Sequence, residues 1–192
     1  MTEREASTDR DLALRAKSGE KGAFDQLVRR HKEALFRLIR PYIGNNDDAY
    51  DVLQDTFVSA WLALSRYDEN RPLLSWLRTI ALNKCRDRGR RIAVRQRLLQ
   101  LFALEQTGEV EPPADLRSDK ENLEAKRLKR LEETIAALPQ SYKEPLLLTT
   151  VAGLSQQDAA RELKTSVKAI EMRLRRAKQR LAQALADLAE TP

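Results

Sequence analysis

The chain has 192 residues, 33% of them charged, with 35 Lys and Arg against 29 Asp and Glu, and only 6 Gly, 7 Pro, one His and one Cys. That length allows one domain or two small ones, and the scarcity of Gly and Pro beside abundant Leu, Ala, Arg, Glu and Lys favours helix over sheet. A lone cysteine, Cys85, excludes an internal disulfide and a thiolate metal site, and the longest apolar run, near Pro145 to Leu154, is too short to span a membrane. With no secretory signal, a reduced, cytoplasmic setting without membrane insertion is expected.

In chain order, Asp9 to Lys17 reads as a short helix closed by Ser18 and Gly19. A longer one runs from about Gly22 to Ile43, its apolar stripe formed by Phe24, Leu27, Val28, His31, Leu35, Leu38 and Ile39. His31 lies on that stripe and, as the only histidine, reads as a packed core residue rather than a metal ligand. Gly44-Asn45-Asn46 ends the helix, and Asp47 is placed to cap the next, from Asp48 to about Leu64. There Leu53, Phe57, Ala60, Trp61 and Leu64 are expected inward, with Asp48, Asp51 and Asp55 forming an outward acidic ladder beside Gln54. Part of that ladder also suits the helix dipole. After the loop Tyr67 to Arg71, Pro72 fits the first position of a helix running through Trp76, Leu77, Ile80, Ala81 and Cys85 into a basic block.

Charge is distributed in blocks. Lys84, Arg86, Arg88, Arg90, Arg91, Arg95 and Arg97 face one acid, Asp87, and a second basic block spans Arg161 to Arg180. Between them lies an acidic stretch, about Phe102 to Asp119, that loses periodicity and carries Thr-Gly and Pro-Pro; it reads as an extended linker. Two polyanion-facing surfaces joined by something different are implied, against solvated helix faces as the plainer alternative. Periodicity resumes at Leu123 and continues to Leu138, where Pro139 breaks it. A further helix covers about Tyr142 to Ala152, with Pro145 either starting or kinking it and Gly153 closing it.

Ser155-Gln156-Gln157-Asp158 is a near capping box that opens a short helix to Leu163. Lys164-Thr165-Ser166 follows, then a long basic helix with Ile170, Leu174, Ala177, Leu181 and Leu185 on its buried side. Short helix, tight turn and long basic helix make a helix-turn-helix pattern, which an αα-hairpin with a charged face could also produce. Turn length, cap and charge together favour DNA reading. N-terminal residues of the second helix would meet base edges, and later arginines would neutralise phosphates.

Asp48 to Phe57, then Trp76-Leu77-Arg78-Thr79-Ile80-Ala81-Leu82-Asn83, Leu138-Pro139 and Arg173-Leu174-Arg175-Arg176-Ala177 together resemble the extracytoplasmic-function sigma factors, over nearly the whole chain and in order. The resemblance implies an all-α fold of two small helical domains: residues 1–98 as region 2, 99–121 as an extended acidic linker, and 122–192 as region 4. It implies a subunit that carries core RNA polymerase to promoters, contacting its largest-subunit clamp helices and flap region, with an anti-sigma factor as a further partner. Docking falls to Asp48, Asp51, Gln54 and Asp55. The minus-ten element, held as melted single strand, falls to Tyr67, Trp76, Arg78, Asn83, Lys84, Arg86 and Arg88, with Tyr67 and Asn83 matching positions that capture a flipped base. Aromatic stacking, polar edges and a basic groove suit single strands, although core packing is the stronger role for Trp76. The duplex minus-thirty-five element falls to Ser155, Gln156, Ser166, Lys168, Ala169, Glu171, Met172, Arg173, Arg175 and Arg176. The linker would occupy the polymerase's nucleic-acid path.

Three departures from the family pattern stand out. Tyr50 replaces the usual acid, Lys164 stands where the turn commonly has Gly, and Lys168-Ala169-Ile170-Glu171-Met172-Arg173 replaces the usual reading-helix motif. A positive backbone angle at Lys164 would carry strain, and the promoter sequence is not implied by the resemblance. The competing expectations are a stand-alone helix-turn-helix regulator of duplex DNA and an RNA-binding adaptor, the second weakened by 5% aromatic content. One His, one Cys, no glycine-rich phosphate loop and acids that follow helix faces argue against an enzyme, and no cofactor is expected.

Overall fold

Helical periodicity becomes helix almost wherever it occurs. The computed structural model describes residues 8–102 and 119–189. Within them lie α1 (Asp9–Lys17), α2 (Lys21–Ile43), α3 (Asn46–Ala63), a short 3-10 turn (Leu64–Arg66) and α4 (Leu73–Phe102), followed by α5 (Asp119–Ala137), α6 (Gln140–Thr150), α7 (Gln156–Glu162) and α8 (Val167–Ala189). The acidic linker expected near 102–119 lies outside the described residues, apart from its ends. There α4 continues past residue 98 to Phe102, and α5 begins at Asp119 rather than 122.

Capping residues set the starts. Thr8 and Asp11 exchange hydrogen bonds at the head of α1, the Thr8 hydroxyl accepting from the Asp11 amide at 3.2 Å and the Asp11 carboxylate from the Thr8 amide at 3.1 Å. Asn45, not Asp47, caps α3; its Oδ1 accepts from the Asp48 amide at 2.8 Å. Pro145 sits inside α6 rather than at its start. The carbonyl of Ser141, which thereby loses its helical donor, belongs to an exposed residue.

Cys85 is buried in the core, and burial followed by the nearby Glu144 carboxylate pushes its thiol up to about 12. At pH 8 the thiolate is therefore about one part in ten thousand, and a disulfide reagent should label Cys85 only as fast as the protein unfolds. Labelling at the rate of a free thiol in native buffer would contradict this burial. His31 is likewise buried; its Nε2 approaches Asp9 at 2.8 Å without hydrogen-bond alignment.

The two helical domains that the resemblance implies are present, and tertiary structure adds a core shared between them. Leu147 and Leu148 of α6 and Ala159 of α7 are buried in the same core as Leu35, Leu38, Leu77 and Ala81 of the first four helices. A second, smaller core joins Leu138, Leu146, Ala160, Ile170, Leu174 and Ala177 within the C-terminal unit. Each fully buried Leu or Ile is worth about 1.5–3 kcal/mol, so burying α6 on both sides couples the units. The reason is visible in α6 itself: Leu146, Leu147 and Leu148 are consecutive, and on a helix they cannot all face one neighbour.

Lys164, in the turn between α7 and α8, has φ +52° and is the only non-glycine residue with positive φ among those described. Lys164→Gly should raise stability by about 0.5–1 kcal/mol, because relief of the left-handed conformation exceeds the entropy that glycine loses on folding. A urea midpoint that falls in that variant would show the turn to be unstrained.

Candidate nucleic-acid interface

On α3, Ala49, Val52, Thr56, Phe57 and Ala60 are buried, while Asp51, Gln54 and Asp55 are exposed. The ladder is therefore presented outward, with one exception. Asp48 is half-buried and paired with Arg88 of α4. A hydrogen bond from Asn45, then the Arg88 guanidinium, holds its carboxyl below the usual range. Trp61, expected inward, lies on the rim: it meets Phe24 edge-on with ring centres 5.0 Å apart and lines an open apolar groove with Leu53, Phe57 and Leu62. Tyr50 is 59% exposed and stacks on Phe36 at 4.5 Å. The substitution of an acid by Tyr thus extends the apolar groove at its edge.

The loop after α3 is built around Tyr67, which is only 4% exposed. Its hydroxyl donates to the Arg71 carbonyl at 2.6 Å, its ring lies 5.0 Å from that of Trp76, and Lys17 donates to its carbonyl at 2.8 Å. Burial raises the Tyr67 hydroxyl above its ordinary range. In this form the ring is covered and braces the loop. Trp76 is half-buried beside it, as its core role requires.

Along α4, Asn83 is exposed and accepts from Arg86 at 2.8 Å, and Lys84 is half-buried. The arginines are engaged across the molecule. Arg78 donates to Glu162 through Nε at 2.8 Å and Nη2 at 3.0 Å. Arg86 donates to Glu144 through Nε and Nη2, each at 2.7 Å. The Glu144 hydrogen bond holds Arg86 above its ordinary range.

The C-terminal hairpin forms as its cap and turn residues dictate. Ser155 caps α7, its Oγ accepting from the Asp158 amide at 3.1 Å, and Ser166 does the same for the Ala169 amide at 3.1 Å. Ile170, Leu174 and Ala177 bury one side of α8. Lys168, Glu171, Met172, Arg175 and Arg176 are exposed on the other; Ala169 and Arg173 are half-buried, and Gln156 is exposed at the start of α7. Tyr142 of α6 accepts from Arg176 at 3.3 Å and carries Arg180 over its ring, which fixes the outer arginines of α8. The Arg176 hydrogen bond lowers the Tyr142 hydroxyl below its ordinary range. An exposed row of cations on a helix whose first turn is open suits duplex DNA.

Residues 27–95 match Sigma-70 region 2, and residues 128–181 match Sigma-70 region 4. The chain is 41% identical to the RNA polymerase sigma factor CnrH of Cupriavidus metallidurans, over 92% of this chain and 94% of that one. It is 31% identical to the ECF RNA polymerase sigma factor SigM of Mycobacterium tuberculosis, over 96% and 88% respectively. The chain belongs to the extracytoplasmic-function sigma factors. The fold of this sigma factor is similar to that of CnrH in complex with the cytosolic domain of CnrY, with TM-score 0.65 and 36% identity over 93% of this chain and 97% of that one. It is also similar to the sigma factor RpoE of Bartonella quintana in complex with the anti-sigma factor NepR, with TM-score 0.62 and 25% identity over 85% and 96%. As a sigma factor it directs promoter-specific transcription by RNA polymerase. A stand-alone regulator needs only the helix-turn-helix, and the region 2 match leaves that alternative without support. Among the described residues of this sigma factor, no helix is long and apolar enough to cross a membrane.

Two features of this sigma factor escape sequence reasoning. Val58 and Leu62, one turn apart on α3, are exposed, Leu62 by 75%. Their apolar spacing is visible in the sequence, but nothing local distinguishes an exposed apolar pair from a buried one. Glu144 is buried and Glu162 half-buried, each with its carboxylate against an arginine. For Glu144 the available signal is its place against the apolar run Pro145 to Leu148.

Proposed function

We propose that this sigma factor docks on the polymerase clamp helices through Asp51, Gln54 and Asp55 of α3, with the adjoining apolar groove adding buried surface. Asp48 serves the fold instead, through Arg88. The basic face of α4, with Arg78, Asn83, Lys84 and Arg86, holds the melted minus-ten strand, and the exposed face of α8 reads the minus-thirty-five duplex. The chain contributes no catalytic group; phosphodiester chemistry belongs to the polymerase, in the cytoplasm. What carries this assignment is the order along one chain: an exposed acidic run on α3, the basic run of α4 packed beside it, and a helix-turn-helix beyond. Adjacent acidic and basic surfaces suit one basic and one polyanionic partner.

An anti-sigma protein is a further partner, supported by the two solved relatives, each held in a complex with such a protein or with its cytosolic domain. Exposed Val58, Trp61 and Leu62 offer an apolar surface to a partner helix. The test is in vitro transcription with core polymerase over a genomic DNA library, mapping start sites. Discrete starts sharing two upstream elements are expected. Starts identical to those of core polymerase alone would overturn the assignment.

A further inference from the structure

The outer side of α8 carries a regular stripe. Val167 and Lys168, Glu171 and Met172, and Arg175 and Arg176 are exposed in pairs four residues apart, so successive pairs stand about 6 Å apart along one side of the helix. Ile170, Leu174 and Ala177 hold the opposite side in the smaller core. Glu171 and Met172 thus take the middle of the face that a helix-turn-helix sets into a major groove.

Glu171 differs in charge from everything around it. It is the only acid from Leu163 to Ala186, a stretch with seven Lys and Arg. Two ordinary reasons for an acid on a helix do not apply. The helix dipole favours a carboxylate within the first turn, and Glu171 is the fifth residue of α8. Arg175 stands four residues on, at the spacing of a helical ion pair, yet Glu171 makes no hydrogen bond or ion pair among the described residues. Arg176 turns instead to the Tyr142 hydroxyl of α6.

An unpaired carboxylate on a groove-facing surface is repelled by phosphates, so it is accommodated only where a base edge donates to it. Cytosine N4 and adenine N6 are the donors that the major groove offers. An ionised carboxylate only accepts. Adenine sets its N7 acceptor beside N6, an edge that suits an amide and repels an acid, whereas cytosine's own edge carries the N4 donor alone.

We propose that Glu171 is a specificity-determining residue of α8, accepting a hydrogen bond from the exocyclic amine of a cytosine in the minus-thirty-five element. This inference rests on the assignment of α8 to that duplex. It gives one position of the element a base identity, through the residue at which the reading helix departs in charge from its family.

The experiment runs core polymerase with the full chain on a promoter library randomised over the minus-thirty-five element, and counts the sequences transcribed. The wild type should select cytosine at one position, with other bases there initiating about tenfold less, the loss expected for one base-edge contact. Glu171→Ala should remove the selection at that position and leave the others in place. Glu171→Gln should move it from cytosine to adenine, because an amide pairs with both N6 and N7. A residue with a merely structural role would not exchange one base for another. Selection unchanged in both variants would overturn the inference, as would a wild-type element without cytosine. A rise in initiation shared by all sequences would overturn it too, since a carboxylate that meets only phosphates carries no sequence information. A wild type that selects an upstream element, beside Glu171 variants that select the same one, removes the cytosine contact alone. A wild type whose starts share no upstream element removes the assignment of α8 beneath it.

Discussion

Asp51→Arg with Asp55→Arg should abolish co-purification with core polymerase, lowering affinity at least a hundredfold, while leaving the protein folded. Both residues are exposed on α3, and the buried side of that helix belongs to Ala49, Val52, Thr56 and Phe57. Arginine is a good helix former, so the change should cost no more than about 0.5 kcal/mol of stability. At the interface the effect is large because two attractive contacts become like-charge juxtapositions, each costing several kcal/mol. Circular dichroism and thermal melting should match the wild type. Normal recovery with core polymerase would place the docking surface elsewhere. The same reversal at Asp48 is a poorer test, since it would also break the pair with Arg88 and confuse folding with docking.

The second large effect is on stability. Leu148→Ala should lower the unfolding free energy by about 2–5 kcal/mol, the range for deleting a buried leucine. Leu148 is fully buried in the core that α6 shares with the first four helices. Both tryptophans, Trp61 and Trp76, lie in α3 and α4. Their fluorescence therefore reports only the first unit, and a change made in the second reaches it only through the shared core. The expected result is a fall in the urea midpoint seen equally by fluorescence and by far-ultraviolet circular dichroism. A fluorescence midpoint that stays in place while circular dichroism gains an earlier step would show that the units unfold separately.

Helix positions were readable because each depends on neighbours one turn away. The stripe from Leu27 to Ile39, the Ser155 cap and the Gly44 stop are local, and the structure realises each of them, whereas α6 ends at Thr150 with Val151 as its cap, ahead of the Gly153 expected to close it. The strain expected at Lys164 was legible for the same reason: a four-residue turn decides its own backbone angles. A residue whose partner is distant in the chain is less legible. Asp48 looked like one more rung of an exposed ladder, and Arg88, which claims it, comes forty residues later. The resemblance gives Tyr67 a flipped base to hold, and in this structure Trp76 and Lys17 enclose it.

By itself the sequence determined the eight helical segments among the described residues, the family, and the helix faces that carry acid or base. Those are properties of periodicity, capping and charge, which operate within a few residues. Only the tertiary structure decided that α6 is buried on both sides, that Glu144 and Glu162 cover Arg86 and Arg78, and that Val58 and Leu62 stay outside the core. The physical reason is that an apolar or charged side chain states what environment it favours, while which neighbour supplies that environment depends on how helices far apart in the chain come to pack.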